Sequence, residues 1–191
     1  MQNSPLSHTT PLVSVCLSTS DWGKHIDQAI DSILLQTYWN WELVIVRDRS
    51  NPGISDILDR YQKRYSDRIR LLEIESTHRY EAAVMCLSQS RGRFIAIMAC
   101  GDLLEPNQLS YEVAYLKCYP GINAVRALSA AETPLPGTPK LFPLDDLMPI
   151  VREGQMLYGP SMLARTTALA DMLPTLLGES ASEPQVERLS A

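Results

Sequence analysis

What this sequence has little of narrows its reading first. Histidine is scarce: His8, His25 and His78 are too few and too dispersed to suggest a metal site. The four cysteines, Cys16, Cys86, Cys100 and Cys118, show no paired spacing. Cys16, Cys86 and Cys118 fall in apolar or helical patterns and are expected to be buried thiols of a reduced compartment. Long apolar runs are missing too. No stretch approaches the roughly 18 residues that a membrane span needs, and the first residues lack a signal peptide's charged-then-apolar layout. A soluble, cytoplasmic domain is expected. Basic charge is in deficit, with a net charge of -5 and no basic stripe along the chain, so nucleic acid is not expected as a partner.

What is present is enough for a core: 191 residues, 45% hydrophobic and 20% charged, suit one domain with a small appendage. Strand and helix patterns alternate. Leu12 to Leu17 reads as a first strand, ending in Ser18-Thr19-Ser20-Asp21. Ile26, Ala29, Ile30, Ile33 and Leu34 make one helical apolar stripe. Glu42 to Val46 is a second buried strand, ending in Arg47-Asp48-Arg49-Ser50. After the turn at Asn51-Pro52-Gly53, a second stripe runs through Ile54, Ile57, Leu58, Tyr61 and Tyr65. A more amphipathic third strand is expected over 69–74, then a third helix carrying Tyr80, Ala83, Val84 and Leu87. Glu105-Pro106 should open a fourth helix through Tyr119, with Leu109, Val113 and Leu116 inward, and Ile122 to Leu128 reads as a fifth strand.

The organising stretch is Phe94-Ile95-Ala96-Ile97-Met98, a short strand covered on both faces that runs into Ala99-Cys100-Gly101-Asp102. Gly101 is expected to turn the backbone sharply and leave Asp102 exposed. Right-handed crossovers bring the ends of the first, second and fourth strands to one edge, where ligands of open α/β sheets sit. That geometry describes a nucleotide-type crevice but names no reaction. Around it, residues 1–10 read as a flexible terminus, 11–128 as the α/β domain, and 178–191 as a flexible tail. Between them, 129–177 is punctuated by Pro134, Pro136, Pro139, Pro143 and Pro149, and reads as loop over the crevice or as a linker, followed by a helix from Thr166 to Leu177.

Several of these stretches resemble family 2 glycosyltransferases. They are Pro11-Leu-Val-Ser-Val, Ala29-Ile-Asp-Ser-Ile-Leu-Leu-Gln-Thr-Tyr38, Trp41-Glu-Leu-Val-Ile-Val46, and Arg91-Gly-Arg-Phe-Ile95 leading through Asp102-Leu-Leu-Glu-Pro106 to Val113-Ala-Tyr-Leu116. The likeness covers residues 11–127 and, more faintly, Gly159-Pro-Ser-Met-Leu-Ala-Arg165, which is similar to the acceptor-side segment. It implies a GT-A fold, a mostly parallel sheet with helices on both faces. It also implies transfer of a sugar from a nucleotide-sugar donor to a saccharide or lipid-linked acceptor, and a chain that in many members continues further.

Residue by residue, the resemblance is uneven. Asp48 and Ser50 match the family's Val-Asp-Asp-Gly-Ser, whose second aspartate accepts from the base; Ser18 and Ser20 keep hydrogen-bonding capacity where the family has Pro-Thr-Tyr-Asn. Ser18, Ser20, Asp48 and Ser50 are therefore the implied nucleotide-binding set. Arg47 and Arg49 replace the first aspartate and the glycine, and are candidate ligands of the diphosphate. The Asp-x-Asp that holds a divalent cation is reduced to Ala99 and Gly101, with only Asp102 following. No metal or other cofactor is expected. The family's catalytic aspartate has no match, the tail offering Ser182, Glu183 and Pro184, so no catalytic residue is assigned.

The plainer readings of the remaining residues set further expectations. Asp102 should serve the helix after Pro106 as cap or first-turn acid rather than hold a metal. Cys100 has no histidine near it in sequence and is not expected to be a nucleophile. Asp145-Asp146 should start a turn. Trp22, Trp39 and Trp41 are candidates to stack on a sugar or base, although Trp39 and Trp41 should rather pack where helix meets strand. Two functional classes stand. One is a glycosyltransferase handling the diphosphate without a cation; the other is a non-catalytic member binding a nucleotide, a glycan, a partner glycosyltransferase or a second copy of itself.

Overall fold

The computed structural model describes residues 10–19, 25–49, 52–74, 79–127, 139–143 and 162–171. Two short apolar strands form its centre, β1 (Val13–Ser18) and β4 (Phe94–Ala99). They pair in parallel, with Val13 opposite Phe94 and Ser18 opposite Ala99. On the far side of β1 lies β2 (Trp41–Asp48), and beyond it β3 (Ile69–Ile74), both parallel. Helices α1 (Ile26–Leu34), α2 (Ser55–Arg64) and α3 (Arg79–Gln89) join these strands in turn.

The other half of the sheet departs from a simple alternation. After α4 (Gln108–Cys118), β5 (Ala124–Ala127) does not pair with β4. β7 (Met162–Arg165) inserts between them, antiparallel to both, and β6 (Pro139–Phe142) closes the edge against β5. The order is β3-β2-β1-β4-β7-β5-β6. The proline-punctuated segment, read as loop or linker, thus contributes an edge strand. Its Pro139 stands at the strand's first position, where a missing N–H is tolerated.

Strand side chains alternate between two cores, as the period of two requires. Val15, Leu17, Leu43, Ile45, Phe94, Ala96 and Met98 pack against α1, α2 and α4, where Ile26, Ala29, Ile30, Ile33, Leu58, Leu109, Val113 and Leu116 face inward. Cys16, Val44, Val46, Ile95 and Ile97 pack on the opposite face with Cys86 of α3 and with Ala168 and Leu169 of the helical turn at 166–171. Of the thiols expected inside, Cys16 and Cys86 are buried but Cys118 is exposed, because it ends α4 on the outer face. Trp41 is buried, whereas Trp39 is 65% exposed, two residues before β2 begins.

Gly92, leading into β4, is set by close approach. A Cβ there would stand 2.6 Å from the Ser14 nitrogen and 2.7 and 2.8 Å from the carbonyl oxygens of Phe94 and Leu12. Beside it, Ser14 and Glu42 are register partners, and the Ser14 hydroxyl donates to Glu42 Oε1 at 2.6 Å. The Arg91 amide donates to the same oxygen at 2.9 Å, the Gly92 amide to Ser14 Oγ at 2.8 Å, and Arg70 pairs with Glu42 Oε2 at 3.2 Å.

A second polar network fixes the segment that follows β4. α4 begins at Gln108, not at Glu105-Pro106, and its N-cap Asn107 makes no capping side-chain bond. Gln36, from the turn after α1, replaces it. Its Oε1 accepts from the Leu109 amide at 3.1 Å while its Nε2 donates to the carbonyls of Ser32 at 3.1 Å and Glu105 at 2.7 Å. Ser32 Oγ accepts from the Leu104 amide at 3.1 Å, and the Thr37 amide donates to the Pro106 carbonyl at 2.8 Å. Removing one side of a buried hydrogen bond leaves the other unsatisfied at about 1–3 kcal/mol. Gln36→Leu is therefore expected to lower unfolding free energy by about 2 kcal/mol and to speed exchange of the Leu109 amide. Denaturant unfolding with hydrogen exchange checks both; an unchanged Leu109 amide would remove Gln36 from this role.

Candidate functional site

The parallel strands deliver their carboxyl ends to one edge. Ser18 stands opposite both Val46 and Ala99, and Asp48 opposite Ile74, so the polar ends of β1, β2 and β4 are neighbours there. Thr19, not among the expected site residues, is buried at this end. Its amide and its hydroxyl both donate to the Val46 carbonyl, at 3.2 and 3.1 Å, tying the exit of β1 to β2. Of the expected nucleotide set, Ser18 and Asp48 hold these strand positions; Ser20 and Ser50 lie outside the described residues. So do Trp22, Asp145, Asp146, Ser182, Glu183 and Pro184.

The two expected diphosphate ligands converge on a carboxylate that sequence reading did not single out. Arg47 is the register partner of Glu73 on β3. Its Nε donates to Glu73 Oε1 at 2.9 Å, its Nη2 bonds the same oxygen, and its Nη1 reaches Asp59 of α2 at 3.2 Å. Arg49 Nε takes the other Glu73 oxygen at 2.8 Å, and its side chain is 60% exposed. One carboxylate therefore bridges two guanidinium groups, and with Asp59 the cluster's charges balance. The hydrogen bonds from Arg47 and then Arg49 hold the Glu73 carboxyl below the ordinary carboxylate range. The clamp is fully formed above the usual carboxylate pKa and is lost only as pH falls through that lowered value.

The loop after β4 offers little to a cation. Divalent ions of the magnesium or manganese type require oxygen ligands, one or two of them carboxylates. Ala99 supplies none from its side chain, and Gly101 has no side chain. Among the described residues, no group of three His, Cys, Asp or Glu stands close enough to hold a metal. The glycine is not demanded by the backbone: Gly101 has no positive φ, and a Cβ there would meet nothing within 4 Å. The expected sharp turn thus does not depend on it. Asp102 is half-buried and stands five residues before the α4 N-cap, so it is neither cap nor first-turn acid. Cys100 is buried beneath the loop, and burial, followed by the negative charge of Asp102, pushes its thiol up to about 11. A thiol that stays protonated is a poor nucleophile.

Known proteins share this architecture. The sheet superposes on a mannosyltransferase from Pyrobaculum calidifontis, solved with GDP-Man and Mn2+, with a TM-score of 0.60 and 21% identity over 81% of this chain and 44% of that one. Staphylococcus aureus TarS, solved with UDP-GlcNAc, gives a TM-score of 0.52 and 20% identity over 59% of this chain and 32% of that one. Such identities establish the fold, a GT-A fold, and no more. In sequence, EpsE of Bacillus subtilis, which carries a glycosyltransferase name, is 37% identical over 108 residues, 56% of this chain and 39% of EpsE. The glycosyltransferase GlyG of Streptococcus pneumoniae is 29% identical over 99 residues, 51% of this chain and 33% of GlyG. The chain spans less than half the length of these relatives. No helix among the described residues is long and apolar enough to cross a membrane. The model of the glycosyl transferase family 2 matches residues 14–134, well over half of the sequence, and the chain belongs to that family.

Proposed function

We propose that this domain binds a nucleotide-sugar donor at the carboxyl edge of its parallel strands and serves sugar transfer to a saccharide or lipid-linked acceptor without a divalent cation. The observation that carries this reading is the Glu73 bridge. A carboxylate held by two guanidinium groups is the arrangement that a diphosphate can replace, since arginine binds either anion through paired N–H donors. The charge that develops on a leaving diphosphate needs such compensation, and the residues at 99 and 101 give a cation no side-chain oxygen to hold it. Asp48, at the end of β2, would accept from the base, and Ser18, Ser20 and Ser50 would complete the nucleoside contacts.

A second reading rests on the same cluster. With Glu73 and Asp59 in place, the two arginine charges are already cancelled. A non-catalytic domain that binds a nucleotide, a glycan or a partner glycosyltransferase would keep this arrangement. A panel of nucleotide sugars separates the two, starting with GDP-Man and UDP-GlcNAc, the molecules bound to the mannosyltransferase and to TarS. Release of nucleoside diphosphate supports the enzyme, binding without turnover supports the second reading, and no binding to any donor overturns the first.

Binding should report the groups involved. A hydrogen bond to a charged group contributes roughly 1.5–3 kcal/mol, and 1.4 kcal/mol is a decade in affinity, so Asp48→Ala should weaken nucleotide binding about tenfold or more. Calorimetric titration measures this directly, and an unchanged constant would remove Asp48 from the site.

Releasing the arginines should have the opposite effect. Exposed charge pairs are weak, so Glu73→Gln should tighten diphosphate binding only modestly, by roughly two- to fivefold. Weaker binding would mean that Glu73 orients the arginines rather than competing for them.

Metal dependence completes the set. Parent binding should be insensitive to chelator and added manganese and should fall with rising salt, as expected for phosphates neutralised by exposed arginine. Ala99→Asp with Gly101→Asp should introduce manganese-dependent binding, because position 101 has room for a side chain. A parent whose binding collapses in chelator would return the cation to the site, with Asp102 its first candidate ligand.

A further inference from the structure

The end of the sheet opposite the nucleotide edge has charge and apolar surface of its own. Register sets Trp41, Val13, Phe94 and Arg165 side by side there. The turns entering β2, β3 and β4 gather at this end, with the carboxyl terminus of α2. They bring in Arg64, Arg68, Arg91 and Arg93, which look dispersed along the sequence. Among the described residues none of the four is in an ion pair. The acids at this end include Asp67, in the turn before β3, and Glu42, which is buried and already accepts from the Arg91 amide and Arg70.

Several of these cations rest on aromatic rings. The Arg68 guanidinium lies 3.8 Å over the Trp41 ring and donates to the Trp39 carbonyl. Arg93 and Arg165 share the Phe94 ring, at 5.9 and 5.7 Å. Arg165 is already engaged, since it donates to the carbonyls of Leu116, Tyr119 and Ile122 and so closes the carboxyl end of α4. Arg93 is exposed beside it. Three of the five large apolar side chains exposed among the described residues lie at this end too. They are Leu35 at the C-cap of α1 (70%), Trp39 (65%) and Tyr119 at the C-cap of α4 (51%).

Helix-dipole compensation accounts for Lys63 and Arg64 at the end of α2. It accounts neither for Arg91 and Arg93 nor for a largely exposed tryptophan among them. Tryptophan and tyrosine favour the boundary between headgroups and acyl chains, and arginine is drawn to anionic headgroups. A leucine as exposed as Leu35 suits that boundary better than it suits nucleic acid.

We propose that this end of the sheet is a docking surface for an anionic lipid bilayer, with Arg64, Arg68, Arg91 and Arg93 against the headgroups and Leu35, Trp39 and Tyr119 in the interface. The nucleotide edge then faces the aqueous phase, where a soluble donor diffuses. The test is sedimentation of the full chain with phosphatidylcholine vesicles, with and without phosphatidylglycerol. The parent should bind only the anionic vesicles, release them in high salt, and show a blue-shifted tryptophan emission that is lost in Trp39→Phe. Arg91→Ala with Arg93→Ala should weaken binding about fivefold per residue, with unchanged circular dichroism. No binding to anionic vesicles, equal binding to neutral ones, or an unaffected double variant would overturn the proposal. Binding to single-stranded DNA in place of vesicles would overturn it in favour of a nucleic-acid surface.

Discussion

The path of the chain between β4 and α4 depends on one carboxamide. Gln36 is buried and uses both ends of its side chain on backbone groups from three places: the end of α1, the loop after β4 and the first turn of α4. A helix start without its own cap leaves amide donors unsatisfied, and here the acceptor comes from the turn after α1. Because β4 is fixed by its sheet partners and α4 by Gln36, the short segment between them is anchored at both ends. The family-like run from Ser32 through Tyr38 is therefore scaffold. Ser32, Gln36, Thr37 and Tyr38 direct their polar atoms chiefly at neighbouring backbone and at the start of α4, away from the ends of β1 and β2.

A comparable arrangement steadies the opposite end of the sheet. Glu42 is an acid inside a core strand, tolerable because Ser14, the Arg91 amide and Arg70 all donate to it. Gly92 lets the chain pass close enough to complete that set, and the Arg91-Gly92-Arg93 run owes its glycine to this approach. Buried polar groups thus fix both the entry to β4 and the segment that leaves it. The apolar cores between them supply the driving force but little of the registration.

Legibility in the sequence followed the range of each interaction. Apolar periodicity located α1 and placed Leu109, Val113 and Leu116 inward, because helical stripes are local. The parallel pairing of the first four strands followed from their alternation with helices. What depends on register was hidden. Arg47 and Arg49 were visible as unusual residues at a strand end, but Glu73 lies on the neighbouring strand, 26 residues from Arg47, and only pairing makes it their partner. β6 escaped notice because its prolines signal loop, and β7 because four residues carry too little pattern. Trp39 misled through its neighbour: Trp41 begins a strand and is buried, and two residues earlier the chain is still outside.

At positions 99 and 101 the fold leaves the choice of side chain open. Positions 99 and 101 lie at the tip of a strand whose packing residues are Phe94, Ala96, Met98 and Cys100 on one face and Ile95 and Ile97 on the other. Nothing in that packing calls for glycine at 101, where a side chain would meet open space. The packing of β4 is therefore indifferent to whether these positions carry a carboxylate. The arginines on β2 are different. Two added positive charges at one strand end would repel each other, and Glu73 on β3 offsets them from the adjacent register position. The stability of that end is therefore coupled to the acid on β3, which the tip of β4 on the same edge is not.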